Sequence, residues 1–386
     1  MRTQVGIVGA GPAGLTLARI LERAGIESVV LEARTREYCE HRIRAGVLEQ
    51  RSAELLRELG VGERLEREGI VHGGIHLQFA GERHHVPLHE LTERSIVVYG
   101  QTEIVKDLIA ARIDSGLPLH FEVSDVSVDP DDARVSYVHD GRSHELDCDL
   151  VAGCDGFHGV CRASIPAGVL QTFEREYPFG WLGILAEVAP SIDELVYAHT
   201  EHGFALLSLR SPQLSRYYLQ VAHDEDIAGW PDERIWEELH RRTSVAGWTL
   251  HEGPVLEKGV TGMRSFVVEP MQHSRLYLAG DAAHIVPPTG AKGLNLALAD
   301  VRVLGEAIVH RYDTGSDAQL DRYSQECLRR VWRAEHFSWW MTSMLHRHPD
   351  GDPFDLKLQL SQLRYVTTSE AAARGLAENY VGLERV

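Results

Sequence analysis

The sequence predicts a mixed α/β protein that begins with a parallel-sheet domain and has α+β character further on. A short apolar strand at Thr3–Ala10 leads into a glycine-rich turn and then a helical pattern, as in a βαβ unit. Tightly alternating strands fill Phe179–Val221, which is typical of an antiparallel sheet. From Ala291 onwards the pattern is mainly helical. We therefore expect a Rossmann-like domain, an antiparallel-sheet domain and a C-terminal helical region.

Composition limits the classes of function. The chain has 386 residues, enough for two or three domains, and its 44% apolar and 25% charged content is ordinary for a globular enzyme. A formal net charge of −18 argues against a nucleic-acid partner and requires a local patch of Arg and His for any anionic ligand. Long apolar runs are missing and the N-terminus enters a strand directly. We therefore expect no signal peptide, no membrane span and a cytoplasmic protein.

The cysteines give no sign of a cross-linked or metal-bound framework. Five is an odd number and no CxxC pair occurs among them: Cys39, Cys148, Cys154, Cys161 and Cys327. We expect reduced structural thiols, and neither disulfides nor a bound metal.

The glycine-rich turn predicts a dinucleotide site. Gly9, Gly11 and Gly14 form GxGxxG between a strand and a helix that runs through Ala24, and the next strand, Val29–Leu31, is followed by Glu32. In such a unit the first glycine permits the tight turn, the second admits the pyrophosphate, and the third lets helix and strand pack closely. The acid accepts hydrogen bonds from ribose hydroxyls. GxGxxG alone is weak and can be a fortuitous turn, but here strand, helix and acid accompany it.

A second candidate site lies at Leu276–Asp300. The apolar run Leu276–Ala279 ends at Gly280-Asp281, and helix-forming residues return at Lys292–Asp300. An Asp delivered by a strand, with a helix N-terminus behind it, is suited to a hydroxylated, anionic cofactor. Many α/β proteins contain this arrangement without a ligand, so the stretch alone leaves both readings open.

The remaining elements follow from local periodicity and turn residues. Apolar spacing favours helices, and alternation between Gly, Pro and Asp turns favours strands. The predicted elements are a helix at Leu48–Arg67, a hairpin at Ile75–Leu88 across Gly81-Glu82, a helix at Gln101–Ser115, strands within Leu119–Cys148, a strand at Leu150–Gly153, a helix at Asp232–Arg242 and a strand at Arg264–Glu269.

Three motifs resemble one enzyme family. No second GxGxxG occurs, so one dinucleotide would be bound permanently and any other met transiently. GAGPAGL at 9–15, CDGFHGVCR at 154–162 and GDAAHIVPPTGAKGLNLA at 280–297 resemble the signatures of the single-component flavin-dependent aromatic hydroxylases. Further stretches resemble members that act on 4-hydroxybenzoate: RIRAGVLEQ (42–50), YPFGWLG (177–183), MRSFVVEPMQH (263–273), FSWWMTS (337–343) and ENYVGL (378–383).

The resemblance implies tightly bound, non-covalent FAD and a domain division. The residues that it assigns to FAD are Gly9, Gly11, Gly14, Glu32, Arg42, Gln101, Asp281, Lys292, Gly293, Leu294 and Asn295. The FAD-binding domain would span 1–174 and be completed by 264–297. The substrate domain would span 175–263, with 71–99 contributing, and the helical region 298–386.

The resemblance also implies the reaction. NAD(P)H and oxygen would convert 4-hydroxybenzoate to 3,4-dihydroxybenzoate through a flavin hydroperoxide. Ser208, Arg210 and Tyr218 would meet the carboxylate, for which an Arg fork is suited. The phenol end would meet Tyr197, Tyr380 and the Pro288 carbonyl, with His72 completing a proton chain. Without the resemblance, the pattern favours a surface ion-pair residue for Arg210 and an ordinary polar loop histidine for His72.

The nicotinamide nucleotide has no domain of its own. The resemblance places it against Arg34, Tyr38, Arg44, His158, Arg162 and Arg264. The chain departs from the family after Glu32: Ala33-Arg34 stands where Arg-Gln is common, and Arg36 where Pro is common. The choice between NADPH and NADH is therefore open.

Two further interpretations remain open. The aromatic residues of Gln319–Leu345 read as core or, by resemblance, as part of a homodimer interface. A sister hydroxylase for another phenol and a non-catalytic FAD-fold binding protein are the alternatives to the reaction above.

Overall fold

The first sheet forms around the glycine-rich turn. In the computed structural model, which describes residues 1–42 and 46–382, β1 (Arg2–Val8) pairs in parallel with β2 (Ser28–Leu31) and β11 (Arg142–Gly153). The sheet continues through β8 (Leu119–His120) at one edge, β18 (Leu276–Leu278) and β17 (Gln272–His273) at the other, and β10 (Arg134–His139) and β9 (Ser124–Asp129) as a branch from β11. Because β1, β2, β11 and β18 are parallel, their carboxyl ends meet at one edge.

Helices cover this sheet with leucine-rich faces. Helix α1 (Pro12–Arg23) packs against α6 (Gln101–Asp114) and α8 (Gly293–Thr314). Leu17 and Leu21 of α1 are fully buried, as are Val5 and Ile7 of β1. Each such side chain contributes about 1.5–3 kcal/mol on burial, so this interface fixes the helix that follows the glycine turn.

The second sheet is antiparallel over most of its width. Its strand order is β19 (His284–Ile285), β16 (Val255–Glu269), β12 (Gln171–Ala186), β15 (Leu214–Ala222), β14 (Gly203–Ser211), β13 (Val196–Thr200), β5 (Ile75–Phe79) and β6 (Glu82–Val86). The predicted antiparallel strands and the predicted hairpin are therefore present. The β5–β6 hairpin comes from far upstream and joins through a parallel pairing with β13.

The two faces of this sheet pack against different helices. Leu182, Tyr217 and Leu219 face α7 (Asp232–Thr243) in one apolar cluster. On the opposite face, Trp181, Tyr197 and Phe204 join residues of the C-terminal helices in another. Those helices are α9 (Ala318–Leu345), α10 (Pro353–Thr368) and α11 (Glu370–Tyr380). The fold class predicted from the sequence is thus confirmed.

The prediction of one helix over Leu48–Arg67 is wrong. The chain instead forms β3 (Val47–Glu49), α3 (Gln50–Glu58) and α4 (Glu63–Glu68). Leu48 pairs with Val97 of β7 (Ile96–Val98), which also pairs with β4 (Ile70–His72) in a small third sheet. Gly60, with φ of +73°, separates the two helices. Long-range pairing therefore overrides the helical spacing of the leucines.

Two short helices lie outside the predicted elements, α2 (Arg36–His41) and α5 (Leu88–Thr92). Within 1–42 and 46–382, none of the helices combines the length and the apolar character that crossing a bilayer requires.

Candidate active site

The glycine turn leaves an opening at the start of α1. Gly9 has φ of +106°, and a Cβ there would lie 2.3 Å from the carbonyl oxygen of Cys154. A Cβ on Gly14 would lie 2.0 Å from the carbonyl oxygen of Gly9. A Cβ on Gly11 would meet no atom of the described chain within 4 Å. Two glycines therefore permit close packing, and Gly11 borders open space at the helix N-terminus.

Glu32 is fixed beside this turn. One carboxylate oxygen accepts a hydrogen bond from the Ala10 N–H at 2.8 Å, and the other accepts from the Arg34 N–H at 2.8 Å. The side chain is only partly buried. Since an ionised carboxylate can accept about four hydrogen bonds, capacity remains for ligand hydroxyls.

The Asp281 turn lies against the same opening. The Gly280 N–H donates to Asp300 at 3.0 Å, and the same Asp300 oxygen lies 2.7 Å from His284 Nε2. Burial disfavours the charged His284, but contact with Asp300 prevails and raises its pKa. A Cβ on Gly280 would lie 3.1 Å from Ala297 of α8 and 3.6 Å from Ala13 of α1. The fold thus brings the two predicted cofactor motifs together.

At the start of α8, side chains and backbone serve different purposes. The N–H groups of Gly293, Leu294 and Asn295 lie in the first helical turn, where no carbonyl four residues back is available within the helix. The Asn295 amide donates to the Val47 carbonyl at 2.9 Å and accepts from the Glu49 N–H at 2.8 Å. Lys292 Nζ lies 2.7 Å from Glu49 Oε1 and 2.8 Å from the Tyr380 carbonyl. The backbone is therefore the part of this turn that is available to a cofactor.

Glu49 is a buried charged residue beside Lys292 that the sequence analysis did not single out. It is 3% exposed and bridges Lys292 and Arg330, whose nitrogen lies 2.9 Å from Glu49 Oε2. Burial acts to raise the pKa of Glu49, but the two cations prevail and lower it. The residue was placed in a helix by its local pattern, and nothing local indicates its distant partners.

The backbone of Arg42 lies against the first turn of α6. The Thr102 hydroxyl donates to the Arg42 carbonyl at 3.1 Å, and Gln101 begins α6. Arg42 also stacks on Tyr38, with its guanidinium carbon 5.8 Å from the ring centroid.

The residues expected to meet the substrate share one face of the second sheet. In the strand register Tyr197 faces Leu206, Leu206 faces Tyr218, and Ser208 faces Arg216. Alternate residues of a strand lie on the same face. Tyr197, Ser208 and Tyr218 therefore lie on the face covered by the C-terminal helices.

Arg210 lies at a register shift on the same strand. Its guanidinium reaches Gly100, where a Cβ would lie 2.8 Å from Arg210 Cζ. Within the described part of the chain, no hydrogen bond or ion pair to this guanidinium is found. Burial lowers the pKa of Arg210. A partly desolvated Arg without a carboxylate partner is suited to an anionic ligand.

Two buried tyrosines meet at the other end of this face. The hydroxyls of Tyr197 and Tyr380 lie 2.5 Å apart, and burial raises the pKa of both. Pro288 is exposed, and its carbonyl accepts from the Ala291 N–H at 2.9 Å, which leaves one lone pair.

His72 is not hydrogen-bonded to either tyrosine. It is fully buried, and among the described residues neither ring nitrogen has a hydrogen-bond partner. Burial lowers its pKa to about 4, against the charges of Glu194 and Asp193. The ring is therefore neutral at physiological pH.

The cationic residues fall into two groups. Arg34 lies 5.3 Å above the exposed ring of Tyr38, beside Glu32. Arg162 and Arg264 each lie 4.8 Å from the Phe157 ring, next to the exposed His158. Arg162 also donates to the Ala282 carbonyl at 2.9 Å, so it ties this loop to the Asp281 turn. Arg44 lies outside the described residues.

These residues fit FAD. The Gly11 opening admits a pyrophosphate, Glu32 offers free acceptor capacity, and two helix N-termini with the Asp281 turn border the same edge of the sheet. The fold and this site define a protein that holds one dinucleotide, with a second sheet whose covered face carries buried aromatic residues.

Comparison with known proteins identifies the family. A model of the FAD binding domain family matches residues 2–338. The chain is 49% identical over 387 residues to p-hydroxybenzoate hydroxylase of Acinetobacter baylyi, covering 99% of this chain and 96% of that protein. The chain therefore belongs to the FAD-binding family, in its branch of FAD-dependent aromatic hydroxylases.

Solved structures share the fold over most of the chain. The p-nitrophenol 4-monooxygenase of Pseudomonas putida superposes with a TM-score of 0.84 at 18% identity, covering 100% of both chains. A ternary complex of aklavinone-11 hydroxylase with FAD and aklavinone superposes with a TM-score of 0.73 at 20% identity, covering 92% of this chain and 72% of that one.

Proposed function

We propose that this enzyme hydroxylates 4-hydroxybenzoate at the 3-position. The balanced reaction consumes 4-hydroxybenzoate, oxygen, NAD(P)H and one proton, and yields 3,4-dihydroxybenzoate, NAD(P)⁺ and water. The 49% identity to a p-hydroxybenzoate hydroxylase supports this substrate.

The single observation that carries the proposal is the distribution of polar groups along the sheet face that the C-terminal helices cover. Arg210 and Ser208 lie towards one end, and the paired hydroxyls of Tyr197 and Tyr380 lie at the other. Leu206 of β14 is paired with Tyr197, and Ser208 follows two residues later on the same strand. At 3.4 Å per residue, Ser208 is therefore displaced from the level of Tyr197 by about 7 Å along the strand direction. That spacing suits a benzene ring with para carboxylate and hydroxyl groups.

The chain's own residues would bind and orient the ring. Arg210 pairs with the carboxylate through its planar fork, and Ser208 adds a hydroxyl donor. Tyr197 accepts a hydrogen bond from the substrate phenol while donating to Tyr380, which draws the phenolic proton away and makes the ortho carbon more electron-rich. FAD, when bound, supplies electrons from NAD(P)H to oxygen and transfers one oxygen atom.

The N–H groups at the start of α8 would stabilise negative charge on the cofactor. Helix dipole and N–H donors act without reorganisation, so this contribution is present from the start of the reaction.

NAD(P)H would approach the cationic groups around Arg34 and Phe157. Arg34, stacked on Tyr38, and Arg264, next to His158 and the Phe157 ring, offer local positive charge to attract a nucleotide, although Glu174 and Glu176 lie 3.5 and 3.4 Å from Arg264 and offset part of its charge. We also propose that the protein acts in the cytoplasm, because its reductant, NAD(P)H, is a cellular nucleotide.

We also propose the domain division 1–174 with 264–297, 175–263 with 71–99, and 298–386, and a homodimer. Large apolar side chains are exposed on the helical region, at Trp339, Phe354, Leu358 and Tyr365. Exposed apolar side chains of this size are typical of an interaction surface where they lie together. Sedimentation velocity of the FAD-loaded protein would give the mass.

The test of function is a substrate panel. FAD-loaded protein, NADPH or NADH, and 2-, 3- or 4-hydroxybenzoate or 4-aminobenzoate are mixed, and nucleotide oxidation and products are followed by absorbance and chromatography. We expect 4-hydroxybenzoate to stimulate oxidation most and to yield 3,4-dihydroxybenzoate. A different preferred phenol would make this a sister hydroxylase, and no stimulated oxidation at all would indicate a non-catalytic flavin-binding protein.

A further inference from the structure

Two histidines of the β5–β6 hairpin form a cluster with one glutamate, Glu194, which is also one of the two carboxylates near His72. His76 of β5 and His85 of β6 are directly opposite in the antiparallel register, and their ring centroids are 4.9 Å apart. Glu194 reaches them from the segment before β13. His85 Nε2 lies 2.8 Å from Glu194 Oε2, and His76 Nε2 lies 3.9 Å from the same oxygen.

The backbone holds the cluster in place. The Gly74 N–H donates to Glu194 Oε1 at 2.7 Å, which fixes the carboxylate and leaves its other oxygen directed at the histidines. A Cβ on Gly74 would lie 2.1 Å from His85 Nε2, so the imidazole packs directly over a glycine. Orientation of donor groups by such outer contacts is typical of metal sites.

His76 has unused donor capacity. Its Nδ1 is buried without a hydrogen-bond partner among the described residues, and its Nε2 is too far from Glu194 for a hydrogen bond. An imidazole nitrogen without a hydrogen-bond partner can bind a metal ion.

We propose that His76, His85 and Glu194 bind one divalent transition-metal ion of the zinc class. Two imidazoles and a carboxylate are donors that zinc, copper and nickel accept. Zn–N and Zn–O bonds of about 2.0–2.2 Å place neighbouring tetrahedral ligands roughly 3.3 Å apart. The separations of 2.8 and 3.9 Å bracket that value, and the three donor atoms all lie within 4.8 Å of one another.

The surroundings suit a cation with one or more water ligands. The His85 side chain is 46% exposed, so solvent can complete the coordination. The net charge of −18 attracts cations, and Asp193 adds a neighbouring carboxylate. Because the donors come from a hairpin and a distant segment, the ion would bridge β5–β6 to the start of β13. The sequence predicted no metal because its cysteines lack CxxC spacing, and His76, His85 and Glu194 form no local motif.

The test is zinc titration of the FAD-loaded protein by isothermal calorimetry. The proteins compared are wild type, His85→Gln, Glu194→Gln and a control, His84→Gln. His84 is next to His85 in the chain and lies near a carboxylate, Glu82, but it pairs with Leu77 in the strand register and is not part of the cluster. We expect wild type and the control to bind one equivalent more tightly than the background of other histidines. The other two variants should lose that equivalent or bind it at least about tenfold more weakly.

A second readout is thermal unfolding with and without zinc, since an ion that binds only the folded state raises the unfolding temperature. The rise should occur in wild type and His84→Gln and be absent in His85→Gln. Flavin absorbance confirms that each variant is folded. Equal zinc stoichiometry, affinity and thermal shift in all four proteins would show that the cluster is an ordinary surface ion pair, and the proposal would fail.

Discussion

At the scale of single residues, Arg210 is the group on which substrate binding should depend most. Replacement by Ala removes a charge-assisted pair worth about 1.5–3 kcal/mol, so the substrate dissociation constant should rise roughly 10- to 150-fold. FAD should remain bound, because Arg210 lies on β14 of the second sheet, whereas the glycine turn, Glu32 and the Asp281 turn follow strands of the first sheet. The measurement is titration of 4-hydroxybenzoate against flavin absorbance. Arg210→Lys, which keeps the charge but loses the fork, should fall between; unchanged binding in Arg210→Ala would remove this residue from the site.

Tyr197 offers a separate test of activation. Tyr197→Phe keeps the ring, which is 2% exposed, but removes the hydroxyl that meets Tyr380. NAD(P)H should still be consumed while product falls and hydrogen peroxide accumulates. The matched control is Tyr217→Phe, since Tyr217 is buried on the opposite face of the same sheet. Product equal to nucleotide consumed in Tyr197→Phe would contradict the proton chain.

Individual candidate residues could be predicted from the sequence more readily than their contacts in space. Motif, spacing and family resemblance single out Glu32, Asp281 and Arg210 by their position in the chain. The sequence could not reveal that Lys292 bonds to Glu49, or that Arg210 packs on Gly100, because each contact joins distant segments. The roles assigned to individual site residues remain predictions.

At the scale of elements, the β1–α1 turn permits a clean comparison of two glycines. Gly11 has φ of −77° and would place a Cβ in open space, so Gly11→Ala should change apoprotein stability by less than about 0.5 kcal/mol. The same Cβ would obstruct the pyrophosphate, so the FAD dissociation constant should rise at least about tenfold.

Gly14→Ala is the contrasting variant for this turn. Its Cβ would lie 2.0 Å from the Gly9 carbonyl oxygen. We therefore expect Gly14→Ala to weaken FAD binding and also to lower the free energy of unfolding of the apoprotein by about 1–3 kcal/mol through overpacking. Urea unfolding of apoprotein and fluorescence titration of FAD measure both quantities. If Gly11→Ala bound FAD as wild type does, the opening would not be the pyrophosphate site.

Elements with strong local signals were predicted well, and those set by distant pairing were not. The hairpin over Gly81 and the helix from Gln101 form where turn residues and periodicity indicate. Val47–Glu49 carries leucine at helical spacing yet forms a strand, because β7 supplies its hydrogen bonds. The parallel pairing of β5 with β13 likewise has no local signal.

At the scale of the whole molecule, an acidic protein must still select an anionic nucleotide. Ala33 is exposed beside Arg34, and Arg36 is paired with Glu40 at 2.6 Å, which offsets its charge. We therefore expect kcat/KM for NADPH and NADH to lie within about tenfold of each other at low ionic strength. Ala33→Arg should shift the ratio towards NADPH by roughly 10- to 150-fold. A wild-type preference for NADPH above about 100-fold would contradict this expectation. The control is Arg36→Ala, which should leave the ratio unchanged because Arg36 is already paired with Glu40.

Glu335 links the global stability to pH. It lies on α9 and is 5% exposed, with one carboxylate oxygen that has no hydrogen-bond partner in the described chain. Burial raises the pKa of Glu335 from 4.5 to about 7, against the charges of His284 and Arg175 and hydrogen bonds from Ser265 and Phe266. The folded protein therefore holds this proton more tightly than the unfolded chain does.

The free energy of unfolding should consequently fall as pH rises from about 4.5 to about 7. Below about pH 4.5 Glu335 is protonated in both the folded and the unfolded state. Its contribution to stability, on the order of 3 kcal/mol, is then lost progressively and is gone once pH has passed 7. Glu335→Gln cannot ionise, so its advantage over wild type should be smallest near pH 5 and largest near pH 8. Urea unfolding of FAD-loaded protein at both pH values gives the difference, in which other titrating groups cancel. The control is Glu326→Gln, on the exposed side of the same helix, whose difference in unfolding free energy from wild type should be the same at both pH values. If the difference between Glu335→Gln and wild type were also independent of pH, Glu335 would be ionised in the folded protein.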